Sequence, residues 1–396
     1  MRFAGFSGDW AHGDLGMTLA AEKHSFVGGP FGSNLQSKDY TQSGVMIIQL
    51  NNIGEGLFST EKRKFTSTQK ADELLSCNAY PGDIIVSKMM PAGRACILPD
   101  LYSRYVMGSD AIRVKVDGEK YSNTFICAQI NTTRCHKWID GRTGGSTRQR
   151  IGLPVLKELP LYFPTIAEQK TISFFLNLLD KRIQTQNKII RDLESQIVAI
   201  NNRFFDSLQS VALFHDLYEY AGEGGTPDTK ERDYYEPQEI PFIKIENLYE
   251  KYLRSHSAHI SEIGLRNSSA WLVPAQCVLL SNGATIGECT ITTYPVCTKQ
   301  GILGIVPSSQ TSAEFLYLLF KSRCFKRKLR CITTKGTMDA VYLKDMNQMI
   351  VPFCNQKEQQ RHIGAMKPFE EKLEMEKRLL FCLKKEKEYL LRNLFI

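Results

Sequence analysis

The stretch from Pro164 to Phe205, PTIAEQKTISFFLNLLDKRIQTQNKIIRDLESQIVAINNRFF, constrains the fold more than any other part of the chain. Leu176, Leu179 and Ile183, then Ile190, Leu193, Ile197, Ile200 and Phe204, recur on alternating three- and four-residue steps, broken at Gln186. This is one apolar seam along one long helix, with Lys, Arg, Asp and Gln on its other faces. An amphipathic surface helix also carries a single stripe, but this stripe is too long for that and it occurs twice. Shifted by 190, Glu168-Gln169 return as Glu358-Gln359, and Leu176, Leu179 and Ile183 as Met366, Phe369 and Leu373. Asp180 returns as Glu370, Gln186 as Glu376, and Ile190, Leu193, Ile200, Phe204 and Phe205 as Leu380, Leu383, Leu390, Leu394 and Phe395. From Glu168 onward no gap is needed. Two such seams hide against each other, which predicts two long helices packed antiparallel as a coiled coil. Each of roughly 40 residues would span about 60 Å. Pro368 predicts a break in the second, because its ring would clash with the Gly364 carbonyl; it belongs near the first turn of the long segment.

A chain of 396 residues holds two or three domains. At 42% hydrophobic and 23% charged it has the composition of a globular protein. No apolar run reaches the ~18 residues of a membrane span, and MRFAGFSGDW at the N-terminus lacks the apolar core of a signal peptide. The eleven cysteines are scattered, without a C-x-x-C pair, which fits neither a zinc knuckle nor a disulfide framework and points to reduced thiols in a cytoplasm. The net charge of +8 permits nucleic-acid binding without requiring it.

The rest of the chain repeats as well. Residues 1–163 form a first globular unit, with a short helix expected over Asp14 to Lys23 and a loop over Gly28 to Tyr40 (GGPFGSNLQSKDY). Strands are expected at Val45–Leu50, Ile84–Ser87, Gly93–Leu98, Ala111–Val116 and Leu159–Phe163, and a helix over Phe125 to Lys137. Residues 207–351 follow the same plan. Ile243–Leu248 parallels Ile48–Ile53, Val278–Ser281 parallels Ile84–Ser87, and Gly287-Glu288-Cys289 parallels Gly93-Arg94-Ala95. Phe315–Arg330 parallels the helix from Phe125, and Thr334–Thr337 parallels Gly144-Gly145-Ser146. The 207–230 region, containing GEGGTPDTK, reads as a linker. The predicted class is α+β: two repeated mixed α/β domains (1–163 and 207–351) and two long antiparallel helices (164–206 and 352–396).

Two basic segments carry the functional signal. Lys321, Arg323, Lys326, Arg327, Lys328, Arg330 and Lys335 stand together with no acidic residue between Lys321 and Lys335. The first unit has Arg134, Lys137, Arg142, Arg148 and Arg150 in the equivalent place, opposed by Asp140 alone. Seven cations on about four turns repel one another, and DNA phosphate is what such a cluster suits, through counterion release and hydrogen bonds from Ser, Thr and backbone N–H groups. A solvated basic face is the alternative, weakened by the matching places in both units. His256-x-x-His259 lacks a carboxylate or thiolate at ligand spacing, and a surface pair explains it. Asp83, Ser87 and Lys88 faintly echo a nuclease set, but a turn aspartate before a buried strand accounts for them. There is no phosphate-binding G-x-x-x-x-G-K-[ST] loop, no Asn/Asp-Pro-Pro-aromatic tetrapeptide of an amino-methyltransferase, and no ordered triad.

The chain resembles the specificity (S) subunits of type I restriction-modification systems, over essentially its whole length. The resemblance rests on GFSGDW (Gly5 to Trp10), GGPFGSNLQSKDY, YPGDIIVSK (Tyr80 to Lys88), TGGSTRQRI (Thr143 to Ile151) and LPLYFPTIAEQKTISFFLNLLDKRI (Leu159 to Ile183). In the second half it rests on LLSNGATIGECTI (Leu279 to Ile291), TTKGTMDAV (Thr333 to Val341) and IVPFCNQKEQQRHIGAM (Ile350 to Met366). A strand, a Pro and a Glu-Gln pair opening a helix, twice, are the specific part; the departures are Pro368 and the extra residues between Pro352 and Glu358.

The resemblance implies that each globular unit is a target recognition domain reading one part of a split, asymmetric DNA site, and that the helices hold these domains apart and dock two methyltransferase subunits. It implies no catalysis in this chain. S-adenosylmethionine, ATP and Mg would belong to the methyltransferase and restriction (motor) subunits. The residues expected to touch double-stranded DNA are Ser33, Asn34, Lys38, Lys88, Arg94, Arg142, Ser146, Thr147, Arg148, Arg150 and Asn282, with Lys321, Arg323, Lys326, Arg327, Lys328, Arg330, Lys335 and Thr337. Glu168, Gln169, Glu358 and Gln359 are expected as exposed docking residues, against the alternative that they cap their helices. A self-contained DNA-modifying or DNA-cleaving enzyme, or a coiled-coil scaffold without a DNA role, are the competing classes. Unaided cleavage or methylation would mark the first, and absence of salt-dependent DNA affinity the second.

Overall fold

The structure, a computed structural model, describes residues 2–145, 148–283, 285–334 and 339–395. The chain divides into two compact units, Met1–Gln186 with Leu379–Ile396, and Asn187–Arg378. Both boundaries fall inside long helices, so each unit owns one half of each.

In unit 1, Ala11–Asp14 pairs antiparallel with Pro160–Phe163 and brings the start of the globular part to its end. A four-stranded antiparallel sheet runs Phe26–Gly28, Ala111–Val114, Ile84–Ser87, Ala95–Ile97. A five-stranded sheet runs Tyr40–Thr41, Lys64–Thr66, Val45–Ile48, Tyr105–Met107, Asn78–Ala79. Val45–Ile48 and Ile84–Ser87 are buried at every residue, which is why both read as unbroken apolar runs and not as alternating ones. Helices α1 (Asn123–Ile130) and α2 (Thr133–Asp140) follow, then the first half of α3 (Ile166–Ser207).

Unit 2 repeats this frame. Val211–Leu213 pairs with Ile350–Pro352, and a four-stranded antiparallel sheet runs Tyr218–Glu223, Ile302–Pro307, Val278–Ser281, Cys289–Ile291. A three-stranded sheet runs Ala258–Ile260, Ile240–Ile243, Cys297–Thr298. Helices α4 (Ala313–Lys321) and α5 (Arg323–Ile332) stand where unit 1 has α1 and α2, and α6 (Gln356–Leu394) begins here.

The seam residues are buried or half-buried, and many of them join the core of each unit. Ile172, Leu176, Leu179 and Ile183 share one core with Leu383, Leu390, Leu394 and Phe395 in unit 1. In unit 2, Phe205 and Met366 share another, with Ile197, Ile200 and Phe204 packed against it. The long helices run antiparallel there, because Glu194 pairs with Lys377 at 2.7 Å while the later Asn201 meets the earlier His362 at 3.0 Å.

Four local expectations are corrected. Helix α6 continues through Pro368. The clash and the lost hydrogen bond fall on Gly364, and both residues are exposed, so water can satisfy the freed carbonyl. The helices expected over Phe125–Lys137 and Phe315–Arg330 each split in two. Thr132 accepts from Cys135 N (3.4 Å) and Ser322 from Phe325 N (3.3 Å), each capping a fresh helix. Asp14–Lys23 holds only a 3-10 turn at Leu15–Thr18, after which Ala20 N is taken by the Lys115 carbonyl at 2.9 Å. The 207–230 region is no linker, since it supplies two strands of unit 2. Its Gly224 is there for close approach, because a Cβ would run into Thr298.

Candidate nucleic-acid interface

Helix α5 presents charge because of how it is seated. Phe325 and Leu329 are buried beneath it, which turns Arg323, Arg327 and Arg330 outward on a four- and three-residue spacing. The structure sorts the seven cations. Lys321 is paired with Glu288 at 3.0 Å, Arg323 with Asp206 at 2.8 Å, and the Lys328 ammonium donates to the Ile350 carbonyl. Among the described residues Lys326, Arg327 and Arg330 have no carboxylate partner. Lys335, Gly336 and Thr337 lie outside the described residues. The neck of their loop is closed by Thr334 and Ala340, which exchange backbone hydrogen bonds of 3.0 and 3.2 Å.

The equivalent loop of unit 1 has the same neck. Gly144 and Arg150 exchange hydrogen bonds of 3.0 and 2.9 Å, and Gly145 takes a φ of 113°, which a side chain would strain. Ser146 and Thr147 lie outside the described residues. The cations here are held in place. The Arg142 guanidinium lies 4.2 Å over the Trp138 ring, Arg134 lies 4.3 Å over Tyr162, Arg150 pairs with Asp110 at 3.2 Å, and Arg94 with Glu55 at 3.4 Å. Arg148 is exposed. Lys88 is half-buried, its backbone tied to Asp110 (2.7 Å) and Ile151 (2.9 Å).

A cleft of about 530 Å³ opens beside this loop, lined among others by Phe31, Tyr40, Gln49, Asn51, Arg94 and Asp110. Arg94 and Asp110, the partner of Arg150, stand on its lining with Phe31 and Gly32, and Ser33 and Asn34 follow exposed on the same loop. Lys38 is exposed on the following 3-10 turn. Sequence reasoning missed Phe31 and Asn51 in this cleft and Trp138 as a stacking platform. The signal for Phe31 was an aromatic residue set between Pro30 and Gly32 in a glycine loop.

Several expected site residues are placed elsewhere. Asn282 is buried, its Nδ2 donating to the Val341 carbonyl (3.1 Å) and its own carbonyl accepting from Val341 N (2.9 Å), so it holds the loop neck and does not reach the surface. Glu168, Gln169 and Gln359 are buried, which corrects the expectation of an exposed docking face; only Glu358 is exposed. Arg2 grips Glu168 through two contacts of 2.6 and 2.8 Å. Gln169 accepts from Ser122 N at 3.0 Å, and Gln359 accepts from Ser312 N at 3.2 Å. Ser122 and Ser312 are the caps of α1 and α4. The repeated glutamine therefore ties the start of each long helix to its own globular unit. His256 Nε2 lies 3.0 Å from His259 Nε2, but no group of three metal-ligating side chains converges among the described residues. Asp83 is buried against Arg113 at 2.7 Å, a structural ion pair. No helix among the described residues is long and apolar enough to cross a membrane, and all eleven cysteines are free.

Comparison with known proteins agrees with the repeated frame. The family model described as the type I restriction modification DNA specificity domain matches the chain twice, over residues 34–195 and 213–385. The MjaIX specificity subunit of Methanocaldococcus jannaschii, a type I restriction enzyme component, is 30% identical over 184 residues, which are 46% of this chain and 42% of that protein. The HindI specificity subunit of Haemophilus influenzae is 30% identical over 115 residues, 29% of this chain and 25% of that protein. These matches thus span less than half of either relative. Among solved structures, the S subunit of a type I restriction-modification system from M. genitalium aligns over 100% of this chain and 99% of its own, with a TM-score of 0.58 at 15% identity. At that identity the likeness speaks for the fold.

Proposed function

The chain belongs to the family of type I restriction modification DNA specificity domains, and from that premise we propose that it is the DNA-reading subunit of a type I restriction-modification complex. Each unit reads one part of a split site. Because the units differ in sequence, the site is asymmetric. One turn of duplex is about 34–36 Å, so two readers carried on long helices can address one DNA molecule at two places. The chain does no chemistry of its own. Methylation, with S-adenosylmethionine, falls to two methyltransferase subunits docked along the helices, with exposed Glu358 among the contacts. ATP- and Mg-dependent cleavage falls to restriction subunits, and the assembly works in the cytoplasm.

The single observation that carries this reading is the repetition of a buried frame beneath surfaces that differ. Ser87 N, Gly93 N and the α1 cap recur as Ser281 N, Gly287 N and the α4 cap with the same partners in the frame, whereas of the exposed cations of α2 and α5 only Lys137 and Arg327 fall at equivalent places, Arg323 and Arg330 standing where α2 has Thr133 and Asp140. A frame kept alike with unlike surfaces suits two readers of different sequences.

Methylome sequencing of the source cell with and without this gene tests it. A methylated bipartite motif should vanish on deletion. Exchanging residues 207–351 for the equivalent unit of a relative should change one half of the motif and leave the other half and the spacer as they were. Loss of no motif, or a change in both halves, would overturn the reading.

A further inference from the structure

We propose that Phe31 is a wedge that unit 1 presses into the base stack of its half of the DNA site, a device the equivalent loop of unit 2 lacks. The inference rests on the DNA-reading function above. Phe31 is 80% exposed, although the residues bracketing the loop tip, Pro30 and Leu35, are buried. The loop is anchored. Gly29 N donates to the Ala111 carbonyl at 2.8 Å, and a Cβ on Gly29 would collide with the Gly108 carbonyl, so the backbone sits hard against its neighbour. Asn34 N closes the turn on the Phe31 carbonyl at 2.8 Å. A phenyl ring left in water on an anchored tip has no part in the core, since it packs in none of the hydrophobic clusters.

The cleft behind the ring carries hydrogen-bonding groups that nucleic acid can use, with its charges paired. Its one carboxylate among the described residues, Asp110, is neutralised by Arg150 at 3.2 Å, and Arg94, paired with Glu55 at 3.4 Å, stands on the lining with Gln49 and Asn51. Those amide and guanidinium groups suit base edges and phosphate, and an apolar wedge beside them is how proteins unstack a base step. Unit 2 has the same anchor without the wedge. Gly224 N donates to the Ile302 carbonyl at 2.8 Å, as Gly29 does to Ala111, and the residue two beyond it is Thr226.

The test uses the assembled complex and duplexes carrying the motif found by methylome sequencing, with 2-aminopurine placed in turn at each position of either half. The parent complex should raise 2-aminopurine fluorescence at one step of the half that unit 1 reads. Phe31→Ala should abolish that rise and weaken binding to the motif by about tenfold to a hundredfold, the range of one base–aromatic stack. Affinity for an unrelated duplex, its salt slope and the melting temperature should stay as in the parent, because Phe31 is exposed. Phe31→Trp should keep the rise. Motif affinity within twofold of the parent with the rise retained would overturn the wedge, and so would an equal loss on both duplexes. A parent complex without preference for the motif would instead overturn the DNA-reading function itself.

Discussion

The two units answer the same charge differently. Asp180 of unit 1 and Glu370 of unit 2 are equivalent positions of the repeat. Asp180 is held at 2.6 Å by Lys387, from the other long helix. Glu370 is also held at 2.6 Å, but by Lys251 from the globular part. The offset of 195 that relates Asn52 to Asn247 takes Lys251 back to Gly56, which lies against the Asp180–Lys387 pair. The repeat has kept the place of the carboxylate and its neutralisation while the source of the cation moved. The seam shows the same freedom. His362 and Asn201 meet in unit 2, with His362 stacked on Phe204 at 3.8 Å between ring centroids. Their equivalents in unit 1 are Ile172 and Leu391, both apolar. A buried position must be filled and its polar atoms partnered, and either chemistry meets that condition.

That comparison can be broken most strongly at the seam. Leu193→Asp puts a carboxylate where unit 2 is nearly dry and should lower the stability of that unit by about 3–5 kcal/mol. Calorimetry should show one transition falling and the other holding, and a parent-like melt would refute the seam. Gln359→Ala and Gln169→Ala should each cost about 1–3 kcal/mol in urea denaturation, since each leaves a half-buried cap N–H without its acceptor. If they acted by docking instead, stability would hold and capture of the methyltransferase subunit would fail.

Acid should separate the units next. Burial lowers the His362 pKa to about 4 from the ordinary 6.5. The unfolded chain therefore takes a proton that the folded one refuses as pH falls from 6.5 to 4. Stability from this residue is present in full above pH 6.5, declines by at most about 1.4 kcal/mol per pH unit below it, and levels off under pH 4. The double change His362→Ile with Asn201→Leu copies the seam of unit 1 and should remove this slope, read as the difference from the parent in acid titrations of unfolding. The smallest effect is on DNA affinity. Arg327→Ala should reduce the salt slope by about one unit, because no carboxylate among the described residues competes for that arginine. Arg150→Ala should reduce it by less, because Arg150 is already held by Asp110.

What the sequence disclosed follows from range. The seam and the repeat are carried by spacing along the chain, so Leu176 to Phe205 and their counterparts could be read without coordinates. Buried strands such as Ile84–Ser87 announced themselves as apolar runs. Which cations are free could not be read. Arg323 is neutralised by Asp206 and Lys321 by Glu288, over 117 and 33 residues. Nor could the meaning of Gln169 and Gln359, whose partners Ser122 and Ser312 lie 47 residues away in each half. Their repetition was visible, but repetition alone does not distinguish an outward role from an inward one. Pro368 misled for another reason. The penalty for proline in a helix depends on whether water can reach the orphaned carbonyl, and Gly364 is exposed.

Unit 1 is built from both ends of the sequence, for Phe395 lies 6.4 Å from Trp10 and 5.1 Å from Phe125 between ring centroids. On a ribosome this reverses the usual order of events. Unit 2 is one continuous segment, Asn187–Arg378, and has all its residues once that segment has emerged. The unit synthesised first must wait, with part of its core uncovered, until Leu379 to Phe395 have followed. A frameshift or early stop in those last turns would spare the adjacent unit and injure the distant one.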